Sequence, residues 1–108
     1  MSDLKAKAIN LMNFVEYQKG SVVSREIVSQ KTGTLTLFAF DEGQGLSEHT
    51  APFDASVYCL DGEVEVTISG NPIRLKAGEM IIMPAHQSHA LEASTRFKML
   101  LIMVKPVS

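Results

Sequence analysis

The amino-acid sequence predicts an all-β fold, a small antiparallel β-barrel formed by a single domain. Nine short segments rich in Val, Ile, Leu, Thr and Phe are separated by turns that contain glycine or proline. The segment 63–68 places apolar side chains at every even position and polar side chains at every odd position, which is typical of a half-buried strand. A chain of 108 residues that is 45% hydrophobic can also build one core of its own.

The predicted elements follow one another closely along the chain. Strands are expected near residues 22–29, 34–40, 48–51, 55–60, 63–68, 72–75, 80–83, 88–92 and 97–104. The turn at 69–72 (SGNP) joins two alternating segments into a hairpin. Residues 3–12 are expected to form a short helix. We therefore divide the single domain, 1–108, into an N-terminal extension over 1–20 and a barrel over 21–108.

The last predicted strand, 97–104, is apolar on both of its faces. Only one face of a strand in so small a barrel can point inward, so the other face needs cover. Tyr58 and Leu60 are expected on the same outer surface as that second face. Because an exposed apolar patch of this kind marks an interaction surface, we predict a homodimer.

Charge and composition exclude several classes of protein. The net charge is −2 and no basic patch is visible, so we expect no nucleic-acid partner. No apolar stretch approaches the roughly 18 residues of a membrane span, and the N-terminus lacks the apolar core of a signal peptide. We therefore expect a cytoplasmic protein with no membrane partner. The sequence contains neither a nucleophile elbow nor a glycine-rich phosphate loop.

Two windows of the sequence share a regular spacing of glycine, histidine and proline. The first window places its marked residues at Gly43, His49, Ala51, Ala55 and Gly62. The second window places its marked residues at Gly78, Pro84, His86, His89 and Ala93. Fifteen residues separate the end of the first window from the start of the second.

These windows resemble the two sequence motifs of the cupin superfamily. The resemblance covers about half of the chain and implies a cupin-type barrel, a double-stranded jelly roll. In that family two His and one Glu of the first motif join one His of the second to bind a divalent metal. The positions that match here are His49 and His89, whereas Ala51 and Ala55 replace the second His and the Glu. The resemblance thus implies half of a metal site, for a divalent ion such as Zn, Ni, Fe or Mn.

Strand parity predicts what surrounds these histidines. If His49 points into the barrel, alternation places Ala51, Ala55, Val57 and Cys59 on the same inward face. Alanine at two ligand positions leaves a roomier and more apolar cavity, which suits a small organic ligand. We therefore predict a ligand pocket lined by these four residues.

Two further side chains have alternative interpretations. His86 can supply a third metal nitrogen, or it can occupy a turn position where the family carries glycine, since histidine tolerates positive φ better than most residues. We favour the turn. Cys59 can be a soft metal ligand or a small core residue, and we favour the core. The same choice exists for four methionines, which we assign to adaptable core packing and not to metal ligation: Met80, Met83, Met99 and Met103.

Three functions remain open from the sequence. The first is a protein that binds a small molecule, with or without a divalent metal. The second is a metal-dependent cupin enzyme, a dioxygenase, isomerase or lyase acting on a small polar substrate, although the loss of two ligand positions argues against it. The third is a ligand-sensing module, which would need a separate DNA-binding partner.

Overall fold

The computed structural model describes residues 4–106 and shows two facing antiparallel β-sheets. The nine strands are β1 Val22–Gln30, β2 Gly33–Phe40, β3 Gly45–His49, β4 Ala55–Asp61, β5 Glu63–Ile68, β6 Asn71–Lys76, β7 Met80–Met83, β8 His89–Ala93 and β9 Phe97–Val104. The five-stranded sheet has the order β1-β2-β9-β4-β7, and the four-stranded sheet has the order β3-β8-β5-β6. The predicted all-β antiparallel jelly roll is thereby confirmed.

The core lies between the two sheets and follows from the alternation of each strand. In β5 the apolar residues Val64 and Val66 are fully buried, while the polar residues between them are only partly covered. Phe40 of β2 and Phe97 of β9 pack with ring centroids 5.2 Å apart, a favourable separation for an aromatic pair. The interior is therefore a packed apolar layer that becomes looser only at one end of the barrel.

The motif glycines occupy turns that require a left-handed backbone. Gly43, Gly62 and Gly78 have φ values of 83°, 75° and 92°, a region that glycine enters without steric penalty. A Cβ atom on Gly62 would also lie 1.8 Å from the carbonyl oxygen of Arg96. The spacing of glycines in the two windows thus reflects backbone conformation and close packing.

The N-terminal segment is not the predicted helix. Within the described part of 3–12, Ala6 adopts a positive φ of 60° in a turn, and only one 3-10 turn forms, at Leu11–Asn13; residue 3 lies outside the described range. The segment instead packs on the outer face of the five-stranded sheet, where Val15 is buried with Leu37 and Ala39. Burial of these apolar side chains outweighs the weak local preference for a helix.

Several directional contacts hold this segment to the sheet. The hydroxyl of Tyr17 donates to Oδ2 of Asp61 at 2.6 Å, and Nζ of Lys98 donates to the carbonyl of Met12 at 2.5 Å. Leu60 and Leu100 also pack against the segment. The expectation that Leu60 needs a partner subunit is therefore corrected, because the chain's own N-terminal segment covers it.

The rest of the outer face stays uncovered in the single chain. We define the outer apolar patch as Val28, Tyr58, Met80, Ile82, Ile102 and Val104. Met80 and Ile82 are each 54% exposed and Val104 is 69% exposed. Within residues 4–106, no helix has the length and apolarity needed to cross a membrane.

Candidate functional site

The two motif histidines meet across neighbouring strands of the four-stranded sheet. His49 ends β3, His89 begins β8, and the two residues are direct partners in the antiparallel register. The register shifts between Leu46 and His49, and such a bulge re-aims side chains. Because of this bulge, Leu46 and His49 both line the barrel interior although their positions differ in parity. The shift also explains why the strand lies at 45–49 and not at the predicted 48–51.

His49 and His89, the histidine pair, are in direct contact. Their Nε2 atoms are 3.1 Å apart, and the rings meet edge to face with centroids 4.3 Å apart. Nδ1 of His49 lies 2.7 Å from the carbonyl oxygen of Ser47, so this nitrogen carries a proton and donates it to that oxygen. Nε2 of His49 then presents a lone pair toward His89 and the cavity.

The two histidines differ in burial. His89 is 4% exposed, whereas His49 lies at the mouth of the barrel and is exposed to solvent. Burial lowers the pKa of His89 because it penalises the charged ring, and the neighbouring His49 lowers it further. The Gln87 carbonyl acts in the opposite direction, yet Nδ1 of His89 makes no hydrogen bond of good geometry. His89 is therefore a neutral ring at pH 7.

The geometry of the histidine pair allows one metal ion to bind both rings. With metal–nitrogen bonds of about 2.1 Å, Nε2 atoms 3.1 Å apart subtend an angle of about 95° at the ion. That angle lies between octahedral and tetrahedral values. However, no group of three or more His, Cys, Asp or Glu side chains in the described residues is placed to hold a metal. The site therefore supplies two nitrogens and does not fit a tightly held divalent ion.

A cavity of about 270 Å³ opens beside the histidine pair, between the two sheets. Apart from the two histidines, its walls are apolar. The apolar lining residues are Leu46, Ala51, Ala55, Met83, Leu91, Met99, Leu101 and Met103. Replacement of two family ligands by alanine thus opens space next to two imidazoles.

The remaining predicted site residues lie outside this cavity. Val57 and Cys59 are fully buried on the inward face of β4 but belong to the packed core. The Cys59 thiol donates to the carbonyl of Gly62 at 3.4 Å, and burial raises its pKa to about 11. Cys59 is therefore a neutral core thiol, and the pocket is shorter than parity predicted because larger side chains fill the barrel beyond Ala55.

His86 stands apart from the histidine pair. Its φ is 67°, its side chain is exposed, and its backbone N–H donates to the carbonyl of Ala51 at 2.8 Å. It does not line the cavity. In this structure His86 occupies a left-handed turn position.

Methionine side chains line the cavity at positions that the sequence assigned to core packing and not to metal ligation. Met83 of β7 and Met103 of β9 are both direct register partners of Ala55, so they flank it on either side; we call them the methionine pair. The signal was present in β9, where residues 99, 101 and 103 share one face. Methionine is usually adaptable core packing, and for that reason these positions did not stand out.

A larger polar cavity of about 480 Å³ lies between the N-terminal segment and β9, lined in part by Tyr17, Arg96 and Lys98. Its cations already have partners: Nε of Arg96 is 3.0 Å from Oδ1 of Asp41, and Lys98 donates to a backbone carbonyl. This cavity is far more open and shares no lining residue with the histidine pair. The smaller apolar cavity is the candidate functional site.

Comparison with known proteins identifies the family of the chain. The family model described as "Cupin domain" matches residues 36–105. Among curated proteins, an L-ectoine synthase from Saccharophagus degradans is 28% identical over 99 residues, which cover 78% of this chain and 75% of that protein.

Solved structures of three proteins have the same fold as this chain. A conserved protein of unknown function from Streptococcus pyogenes is 38% identical, with a TM-score of 0.90 over 95% of this chain and 90% of that chain. A cupin 2 conserved barrel domain protein from Leptotrichia buccalis is 43% identical, with a TM-score of 0.87 over 90% of this chain and 47% of that chain. A cupin superfamily protein from Desulfitobacterium hafniense is 27% identical, with a TM-score of 0.89 and 94% coverage of both chains.

Proposed function

The chain belongs to the cupin domain family, and from this we propose that it binds a small organic molecule in its barrel cavity. The ligand has an apolar body and one polar or acidic group that contacts the histidine pair. The observation that carries this proposal is the cavity itself, about 270 Å³ of apolar-walled space with two imidazoles at its edge. Small-molecule sites are typically apolar clefts with a few placed polar groups.

The volume and lining of the cavity limit the size and chemistry of the ligand. Its volume lies just below the roughly 300–1,000 Å³ range of small-molecule pockets, which favours a ligand smaller than a drug. Asp and Glu are absent from the lining residues that the structure describes, so no carboxylate opposes an acidic group. An imidazole N–H of the histidine pair would donate a charge-assisted hydrogen bond to a carboxylate of the ligand.

Ligand binding is tested with a series of straight-chain carboxylates, from acetate to octanoate, together with benzoate. We expect one of these acids to raise the melting temperature, and a ligand at 100 times its Kd stabilises by about 2.7 kcal/mol. Ala51→Leu narrows the cavity and should abolish the shift. Ala90→Leu adds the same volume on the outward-facing side of β8 and serves as the control. If no acid raises the melting temperature, or if the Ala51→Leu variant binds the acid as well as the Ala90→Leu variant does, the proposal is wrong.

A second candidate is a metal-dependent cupin enzyme acting on a small polar substrate. The similarity to an L-ectoine synthase favours it, while the apolar lining and the two alanines argue against it. The discriminating measurement is metal retention after equilibration with Zn²⁺, Ni²⁺, Fe²⁺ or Mn²⁺ and dialysis. One ion kept per chain supports the enzyme, and loss of every ion counts against a resident metal centre.

We also propose that the chain assembles as a homodimer through the outer apolar patch. The N-terminal segment covers only part of this face, and Ile82 and Met80 beyond it are more than half exposed. Sedimentation should give a dimer at micromolar concentration, and Ile82→Arg should give a monomer. Ile73→Arg is the matched control, because Ile73 is 40% exposed on the opposite sheet. A wild-type monomer would overturn this assignment.

A further inference from the structure

The methionine pair and the histidine pair face the same cavity from opposite sheets. The histidines belong to the four-stranded sheet and the methionines to the five-stranded sheet. Sheets that pack face to face lie roughly 10 Å apart. The imidazoles of one sheet and the methionine side chains of the other therefore border the same space.

The short side chain of Ala55 leaves room between the two methionine side chains. Both methionines are direct register partners of Ala55, so its short side chain lies between two long ones. Directly opposed neighbours in a sheet have Cβ atoms about 4.5–5.5 Å apart, and a methionine side chain spans that distance. The space above Ala55 is where the resemblance to cupins implies a carboxylate ligand, and here two thioethers border it.

Thioethers in place of a carboxylate change the kind of metal ion that the cavity favours. The lining that the structure describes offers imidazole nitrogen and thioether sulfur and no carboxylate. Oxygen ligands favour hard divalent ions, whereas thioethers select Cu(I) and imidazole accepts copper as well. Compared with the four-ligand divalent site of the cupin motif, this cavity therefore has ligands of a different chemical kind as well as two missing ligands.

We propose that the cavity is a site for a soft monovalent metal ion, Cu(I), held between the histidine pair and the methionine pair. The four ligands are His49, His89, Met83 and Met103. The 3.1 Å separation of the Nε2 atoms already suits a shared ion, and the flexible methionine side chains supply the adjustable half of the site. Binding involves no change of oxidation state.

Two titrations test the site, both without any organic ligand. Cu(I) is added anaerobically in competition with a coloured chelator, and Ag(I) is used as a soft monovalent probe that does not redox-cycle. All proteins carry Cys59→Ala, since the buried thiol is otherwise a competing soft donor. Because no organic ligand is present, this site can fail while the proposed small-molecule binding stands, and the reverse also holds.

The variants separate thioether ligation from packing. Met83→Leu/Met103→Leu conserves volume and should fold, and Met80→Leu alters the exposed face of the same strand β7 as the control. Even outer-shell partners of a metal ligand are typically worth about 10- to 100-fold in affinity. Loss of both thioethers should therefore weaken Cu(I) and Ag(I) binding at least about 100-fold, while Zn²⁺ binding to the histidine pair changes little.

A measurement on the otherwise unmodified chain removes any dependence on variant folding. With methionine methyl groups labelled with ¹³C, saturating Ag(I) should shift the signals of Met83 and Met103 and leave Met12 and Met80 in place. The proposal is overturned if those two methyl signals do not move. It is equally overturned if the double variant binds Ag(I) as tightly as the Met80→Leu control, or if Zn²⁺ displaces Cu(I) from the Cys59→Ala protein that keeps both methionines.

Discussion

Donors restored at Ala51 and Ala55 should convert the histidine pair into a tight divalent metal site. Both alanines line the cavity, and both stand where the cupin motif carries ligands. The variant Ala51→His/Ala55→Glu therefore adds one nitrogen and one carboxylate to two nitrogens that are already in contact. We expect it to hold one Zn²⁺ per chain through dialysis, and we expect the wild-type chain to lose the ion under the same conditions.

The expected size of the effect follows from the site. The pair already subtends about 95° at a shared ion with 2.1 Å bonds, so little rearrangement is needed. If each added ligand contributes at least as much as an outer-shell partner, about tenfold, zinc affinity rises at least about 100-fold. At 100 times its Kd, zinc then stabilises the variant by about 2.7 kcal/mol, or roughly 10–20 °C in melting temperature for a domain near 100 residues.

Without metal, the restored variant should be less stable than the wild-type chain. Without metal, the carboxyl group introduced by Ala55→Glu would lie in an apolar-walled cavity with only the imidazoles as partners. Incomplete hydrogen bonding of a buried polar group typically costs about 1–3 kcal/mol. Calorimetry with and without zinc thus has two expected results, a lower melting temperature without metal and a higher one with it. Ala51→His/Ala55→Gln is the control, since it adds similar volume without a charged ligand.

If the restored variant binds zinc no more tightly than wild type while it stays folded, the two alanines are not positioned toward the histidine pair. The inferred geometry of the cavity would then be wrong.

Three further predictions concern single residues. His86→Gly should raise stability by about 0.5–1 kcal/mol, because relief of a left-handed strain of about 1–2 kcal/mol outweighs the backbone entropy that glycine adds to the unfolded chain. Chemical denaturation measures this, and a loss of stability would contradict the turn assignment. Because the folded pKa of His89 is lowered by burial, the folded protein binds fewer protons than the unfolded chain. Its free energy of unfolding should fall as pH drops below about 6.5, by at most about 1.4 kcal/mol per pH unit, and level off below the folded pKa. His89→Gln should remove this dependence, and an identical slope in that variant would exclude His89 as its source. Tyr17→Phe deletes the hydrogen bond to Asp61 and should cost about 1.5 kcal/mol, since bonds to charged groups contribute about 1.5–3 kcal/mol; an unchanged denaturation midpoint would show that this contact does not hold the N-terminal segment.

Much of the barrel could be predicted from local sequence patterns. Alternation in β5 and the glycines that require positive φ fix strands and turns through short-range physics, and the strand order follows from the motif resemblance. The boundaries of β3 were shifted because the bulge beside His49 breaks the period-two pattern. A bulge depends on the partner strand, which lies 40 residues away.

The N-terminal segment and the cavity depend on tertiary contacts. Residues 11–17 are shaped by the sheet that they cover. The helix predicted over 3–12 does not form in the part of that range that the structure describes. Likewise, the register that places Met83 and Met103 on either side of Ala55 joins three separate strands. Parity alone predicted which way Val57 and Cys59 point but could not show where the packed core ends.

The position of the cavity between two sheets has a kinetic consequence. Its walls come from both sheets, so an occupant gains its full contacts only after the sheets have docked. A ligand of this kind stabilises interactions that are absent from the folding transition state, and such stabilisation appears mainly as a slower unfolding rate. Occupancy of the cavity should therefore lengthen the lifetime of the native state and leave the rate of folding almost unchanged.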